Sequence, residues 1–204
     1  MPFLLPAAML ATPIAATTIA TGWMTRKSDR NARDLSAEME VAAEHLGLDV
    51  SRSGGAVVRI HGEINGITVH GSRRNSGYWN TVLDLAVDIP VDDDPQFFVM
   101  RERRPLNLSN IRLDPEDFLL DGTPDYQTAD PLFDRTMYVR CQDERRMSEY
   151  LTPERRWLII GLFKDGACSV ISYQSIRSRQ SRQDNGWHTI DHVERLVNAA
   201  TELS

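Results

Sequence analysis

Residues 56–73 read AVVRIHGEINGITVHGSR, two runs of alternating apolar and polar side chains around the pair Asn65-Gly66. A two-residue type I′ turn needs positive φ at both central positions, and Asn-Gly is the pair that supplies it most readily, so the stretch predicts a β-hairpin. Ile64 then faces Ile67, Glu63 faces Thr68, Gly62 faces Val69, and His61 faces His70. Strand side chains alternate between faces, which sends Val58, Ile60, Ile64, Ile67 and Val69 inward and places Arg59, His61, Glu63, Thr68, His70 and Ser72 together on the other side. Counting outward from the turn, His61 and His70 form a non-hydrogen-bonded pair, with Cβ atoms about 4.5–5.5 Å apart.

That face admits three readings. A sheet covered on one side needs polar residues on the other, and these side chains serve that need. Alternatively, His61, His70 and Glu63 form a two-histidine, one-carboxylate metal set, all within about 7 Å along one face. In the third reading Arg59, Arg73 and Arg74 join His61 and His70 in a patch that recognises an anionic headgroup or a phosphorylated ligand.

Working outward, LSAEMEVAAEHLG (35–47) carries Leu35, Met39, Ala42 and Leu46 at helical spacing, with Asp34 or Ser36 as N-cap and Gly47 as the stop. TVLDLAVDI and QFFVMRER are two more strands, separated by the acidic turn VDDDP. Its aspartates lack the spacing of a calcium loop. GSRRNSG (71–77) has neither the helix nor the GK[ST] ending of a phosphate loop and predicts a long hairpin connection. TMYVRC and CSVISYQSI are strand candidates on either side of helical material, DERRMSEY and TPERRWLIIGLF, the latter capped by Thr152 with Pro153 at its first position. A rival reading pairs WLIIGLFK with ACSVISY as a hairpin around Asp165-Gly166. Residues 177–187 read as a polar loop, and TIDHVERLVNAATEL closes the chain as a helix with an apolar stripe from Ile190 to Leu203. The sum is an α+β domain, a mainly antiparallel meander with helices on one face.

Pro2 to Thr25 carries no charge for 24 residues, enough to span a hydrocarbon layer of about 30 Å as a helix. No basic residue precedes the run, whereas Arg26, Lys27, Arg30 and Arg33 follow it. The positive-inside rule therefore leaves the rest of the chain in the cytoplasm, with Trp23 at the interface. The expected organisation is a membrane anchor (1–25), a juxtamembrane linker (26–34) and a cytoplasmic domain (35–204), a single-pass protein of the inner membrane. A removed signal peptide, leaving a secreted or periplasmic domain, is the competing reading.

All but two of the 23 basic residues are arginine, a bias in which genome composition weighs more than guanidinium chemistry. A net charge of −6 argues against a duplex nucleic-acid binder, which needs a basic stripe to displace counterions. Cys141 and Cys168 sit in apolar runs without zinc-ligand spacing and read as reduced core thiols. No GxSxG elbow, HExxH helix or cysteine-protease signature occurs.

ADPLFDRTMYVRC (129–141) is the most distinctive segment: Asp130 caps a single turn begun by Pro131, Phe133 enters the core, and Asp134-Arg135 leads into a strand. Together with the hairpin at Ile64–Val69 and the LTPERR segment at Leu151–Arg156, the segment Thr128–Arg140 resembles a poorly characterised group of bacterial domains often attached to an N-terminal membrane segment. The chain departs from that pattern at Ala129, where Gly is usual. The resemblance implies a shared fold and membrane attachment; no activity or site residue comes with it. The expected function is thus a membrane-anchored, non-enzymatic domain that binds a protein partner or an anionic ligand, with no cofactor. A metal-assisted hydrolase on His61, His70 and Glu63 is the alternative.

Overall fold

The computed structural model describes residues 33–53, 57–76, 80–90, 96–101, 125–181 and 188–204. The anchor at 1–25, most of the linker and the VDDDP turn lie outside them, and among the described residues no helix is long and apolar enough to cross a membrane.

The hairpin forms as its sequence dictates. Strands β2 (Val57–Ile64) and β3 (Ile67–Ser76) pair antiparallel with His61 opposite His70, around Asn65 (φ 54°) and Gly66 (φ 80°). A helix over residues 33–46, α1, precedes it and ends at Gly47, which takes φ 69°. Asp34 and Ser36, expected as caps, lie inside this helix. Strands β1 (Asp49–Ser53) and β4 (Asn80–Asp88) follow α1 and the hairpin respectively, and β5 (Phe97–Arg101) comes after the acidic segment in sequence. The ADPLFDR segment gives α2 (Pro131–Thr136), whose first turn is closed by Asp130 Oδ1 accepting from the Leu132 and Phe133 amides. It turns at once into β6 (Met137–Cys141). Phe133 is fully buried, worth roughly 1.5–3 kcal/mol over leaving it in water. Helices α3 (Glu144–Tyr150) and α4 (Pro153–Lys164) are capped by Asp143 and by Thr152.

The region after α4 decides between the two sequence readings. It is helix then strand: β7 (Val170–Ser172) turns at Tyr173-Gln174 into β8 (Ser175–Ser181), and α5 (Thr189–Leu203) closes the fold. Two expectations are corrected here. CSVISYQSI is not one strand but two halves of a hairpin, and residues 177–181, expected in a polar loop, are strand. The strand was hidden because beyond Ile176 β8 is polar on both faces, its inward side carrying Ser178 and Gln180 where a hydrophobe is usual. Residues 71–76 of the GSRRNSG stretch are likewise strand rather than connection.

The eight strands of the described residues join one sheet in the order β1-β2-β3-β4-β8-β7-β5-β6, with every neighbouring pair antiparallel. Only β1 to β4 follow the expected meander: β8 and β7 lie between β4 and β5, and the link from β6 to β7 carries α3 and α4. The inward residues Ile60, Val69, Leu85, Val87, Val99, Val139, Ile171 and Ile176 make one core with Leu35 and Met39 of α1, Phe133, Met147, Ile159 and the α5 stripe. At Gly71 a Cβ would lie 2.5 Å from Ile60 Cγ1 and 2.9 Å from Leu85 Cδ2, so a side chain there would collide with two core residues. The opposite face is largely polar over β1 to β4, Val82 and Ala86 apart, while Phe98 and Met100 on β5 form a small separate apolar cluster with Tyr138.

Candidate functional site

Three places bring chemistry together. On the outer face the register draws a row from Asp49 on β1 through His61 and His70 to Ala86 on β4 and Arg177 on β8. The imidazoles stack with ring centroids 4.6 Å apart, and their Nδ1 atoms approach to 3.0 Å. At that distance one ring donates and the other accepts. His70 Nε2 lies 4.0 Å from Asp88 Oδ2, and both side chains are about half exposed.

The other sequence candidates sort by strand alternation. Arg59 is on the same face, one row along, opposite Ser72. Glu63 is also there, opposite Thr68. Yet among the described residues no three His, Cys, Asp or Glu side chains are close enough to hold a metal ion. Arg73 corrects the anion-patch expectation: the alternation that turns Ile67 and Val69 inward turns Arg73 inward too, where it is 4% exposed and burial lowers its pKa. The side chain of Arg74 lies outside the described residues. Carboxylates are interleaved with the cations on this face, Asp84 pairing with Arg179 at 3.1 Å, so it alternates in sign and is not a basic patch.

The second place is buried. Ser178 Oγ meets His192 Nε2 at 2.8 Å, and His192 Nδ1 lies 3.4 Å from the side-chain amide of Gln180. The order hydroxyl, imidazole, amide has the connectivity of a nucleophile, base and orienting group. Its setting is structural: Ser178 is 3% exposed, on the core face of a strand between β4 and β7 and under α5. The His192 pKa falls to about 4, because burial and then the nearby Arg195 disfavour its charged form. The neutral ring satisfies two polar groups that β8 points into the core. Cys141 and Cys168 are buried free thiols whose pKa values are raised, chiefly by burial, that of Cys141 to about 11. Neither has thiolate character.

The third place was missed by sequence reasoning. Between α4 and α5 runs an open groove of about 400 Å³. Trp157 and Gly161 of α4 stand one turn apart on one wall; Asp191, Glu194, Asn198 and Glu202 follow one line on α5; Leu158, Leu162 and Ala199 also line it. The α4 core side chains are Ile159, Leu162 and Phe163, which leaves the Trp157 indole outside, 63% exposed. Nothing lies within 4 Å of where a Gly161 Cβ would be. Arg195 at the groove edge is bound to Asp165 at 2.7 Å, leaving the α5 wall dominated by carboxylates. The available signal was the spacing WxxxG: within TPERRWLIIGLF the indole sits off the stripe that the buried side chains define.

No family model matches the chain, and no curated protein or solved structure is found similar to it.

Proposed function

We propose that this domain is a binding module, held at the cytoplasmic face of the inner membrane by residues 1–25, whose α4/α5 groove receives a basic, apolar-tipped segment of a protein partner. The observation that carries this reading is Trp157. It leaves an indole 63% exposed beside a groove, opposite Asp191, Glu194 and Glu202. Exposed aromatics next to a cavity are the usual anchors of protein interfaces, and a Lys or Arg side chain laid over an indole gains cation–π attraction of about 0.5–2 kcal/mol. The carboxylates add steering and choice of sign. A groove of this size suits one or two side chains of a partner.

The uncharged run Pro2–Thr25 and its basic exit support the tether. The alternating charges of the outer face favour no anionic ligand there, and with His61 and His70 not completed by Glu63 the hydrolase alternative loses its third ligand. Export would leave the groove as it is and change only its compartment.

Two measurements test the reading. Full-length chain, extracted from membranes with alkaline carbonate, is expected to stay in the pellet; intact chain in the supernatant overturns the tether. Calorimetric titration of the detergent-solubilised chain with a synthetic Lys/Arg- and Leu-containing peptide is expected to give binding that Trp157→Ala and the pair Glu194→Gln, Glu202→Gln each weaken at least tenfold. An acidic peptide of equal apolar content binding as well overturns the groove's assignment.

A further inference from the structure

We propose that His61 and His70 together chelate a divalent copper ion on the exposed sheet face, with water completing the coordination. This stands apart from the groove and needs no third protein ligand. The geometry points to it in two ways. First, the two Nδ1 atoms are 3.0 Å apart. With metal–nitrogen bonds of about 2.0–2.1 Å, cis ligands at a right angle stand about 2.9 Å apart and tetrahedral ligands about 3.4 Å. The observed separation matches the right-angled edge, the arrangement of tetragonal Cu(II) and Ni(II) sites, and Cu(II) binds the tighter of the two. The β2/β3 register holds the two histidines as direct cross-strand neighbours, so only their side-chain torsions have to be set on binding.

Second, the nitrogen not facing the partner has a carboxylate nearby, beyond hydrogen-bond distance. A ligating histidine ordinarily donates its other ring N–H to a carboxylate, which fixes the tautomer and strengthens the ligand. His70 Nε2 lies 4.0 Å from Asp88 Oδ2, close enough for the carboxylate's charge to favour a bound cation though not for a hydrogen bond. Asp49 stands opposite His61 on the neighbouring strand, adding negative charge to the same row. Both His70 and Asp88 are about half exposed, so an ion reaches the pair without opening the fold. The hydrogen bond now joining the rings is what the ion replaces: the donor Nδ1 proton moves to that ring's Nε2, and both Nδ1 lone pairs turn to the metal by rotation about χ2, which opens the present stack of 22° interplanar angle. No redox step is involved.

The test is a titration of the full-length chain with copper sulfate at pH 7.5, followed by electron paramagnetic resonance. The expected result is one equivalent bound at micromolar copper, with a tetragonal spectrum showing two equatorial imidazole nitrogens. His61→Asn and His70→Asn should each weaken binding at least tenfold, and His45→Asn, at an exposed histidine of α1, not at all. An unchanged melting temperature for His61→Asn and His70→Asn separates lost ligands from lost fold. Binding of one equivalent by the doubly substituted chain with wild-type affinity, or binding that begins only at millimolar copper, overturns the proposal.

Discussion

Ser178 on β8 and His192 on α5 meet at 2.8 Å beneath the last helix, and this contact reconciles a polar strand with a closed core. Because folding lowers the His192 pKa from 6.5 to about 4, the unfolded chain takes up a proton at a pH where the native chain does not. Above pH 6.5 the ring is neutral in both states and costs nothing. As pH falls from there toward 4, native stability is lost, on the order of 2–3 kcal/mol for the whole interval. Urea midpoints at pH 7.5 and pH 4.5 measure this: His192→Gln should lower stability at the higher pH yet show a smaller drop between the two. An equal drop in both chains would mean that His192 is not a source of the acid sensitivity.

Ala129 holds φ 61° just before the Asp130 cap, a left-handed conformation that costs a residue with a Cβ about 1–2 kcal/mol. Ala129→Gly relieves it and loses part of the gain to the freer unfolded chain, so a net stabilisation of roughly 0.5–1 kcal/mol is expected in urea unfolding. A destabilised variant would contradict the assigned backbone.

Two glycines should respond in opposite directions. Gly161 sits inside α4 with open space around its missing Cβ, so Gly161→Ala should stabilise by about 0.5–1 kcal/mol through helix propensity. Gly71→Ala drives a methyl into Ile60 and Leu85 and should cost about 1–3 kcal/mol. Thermal melts of both variants check the pair, and a Gly71→Ala chain as stable as the parent would contradict the packing described between β2, β3 and β4.

The hairpin, the α2 turn and the α5 stripe were legible because each rests on short-range signals: Asn-Gly at a turn, an Asp before a Pro, an apolar period. The β7/β8 hairpin was not. Its strand is polar inward beyond Ile176, and the compensation comes from His192, eleven residues beyond the strand's end, which no local pattern reveals. Arg73 was legible and misassigned, since the alternation already placed it with Ile67 and Val69. The groove depends on how α4 and α5 pack, and only the off-stripe position of Trp157 hinted at it. Which sheet edge receives β8 is likewise a tertiary outcome: β4 pairs with β8 and not with β5.

Photo-crosslinking in cells tests the binding reading most directly, with a photoreactive residue replacing Asn198 in the groove or, as control, Arg145 on the exposed face of α3. The account predicts protein adducts from position 198, lost in a Gly161→Phe background that fills the groove while keeping the helix. It further predicts that the partner peptide mapped by mass spectrometry carries Lys or Arg beside the crosslinked residue. Adducts equally abundant from positions 198 and 145, indifferent to Gly161→Phe, or mapping to acidic segments would contradict it.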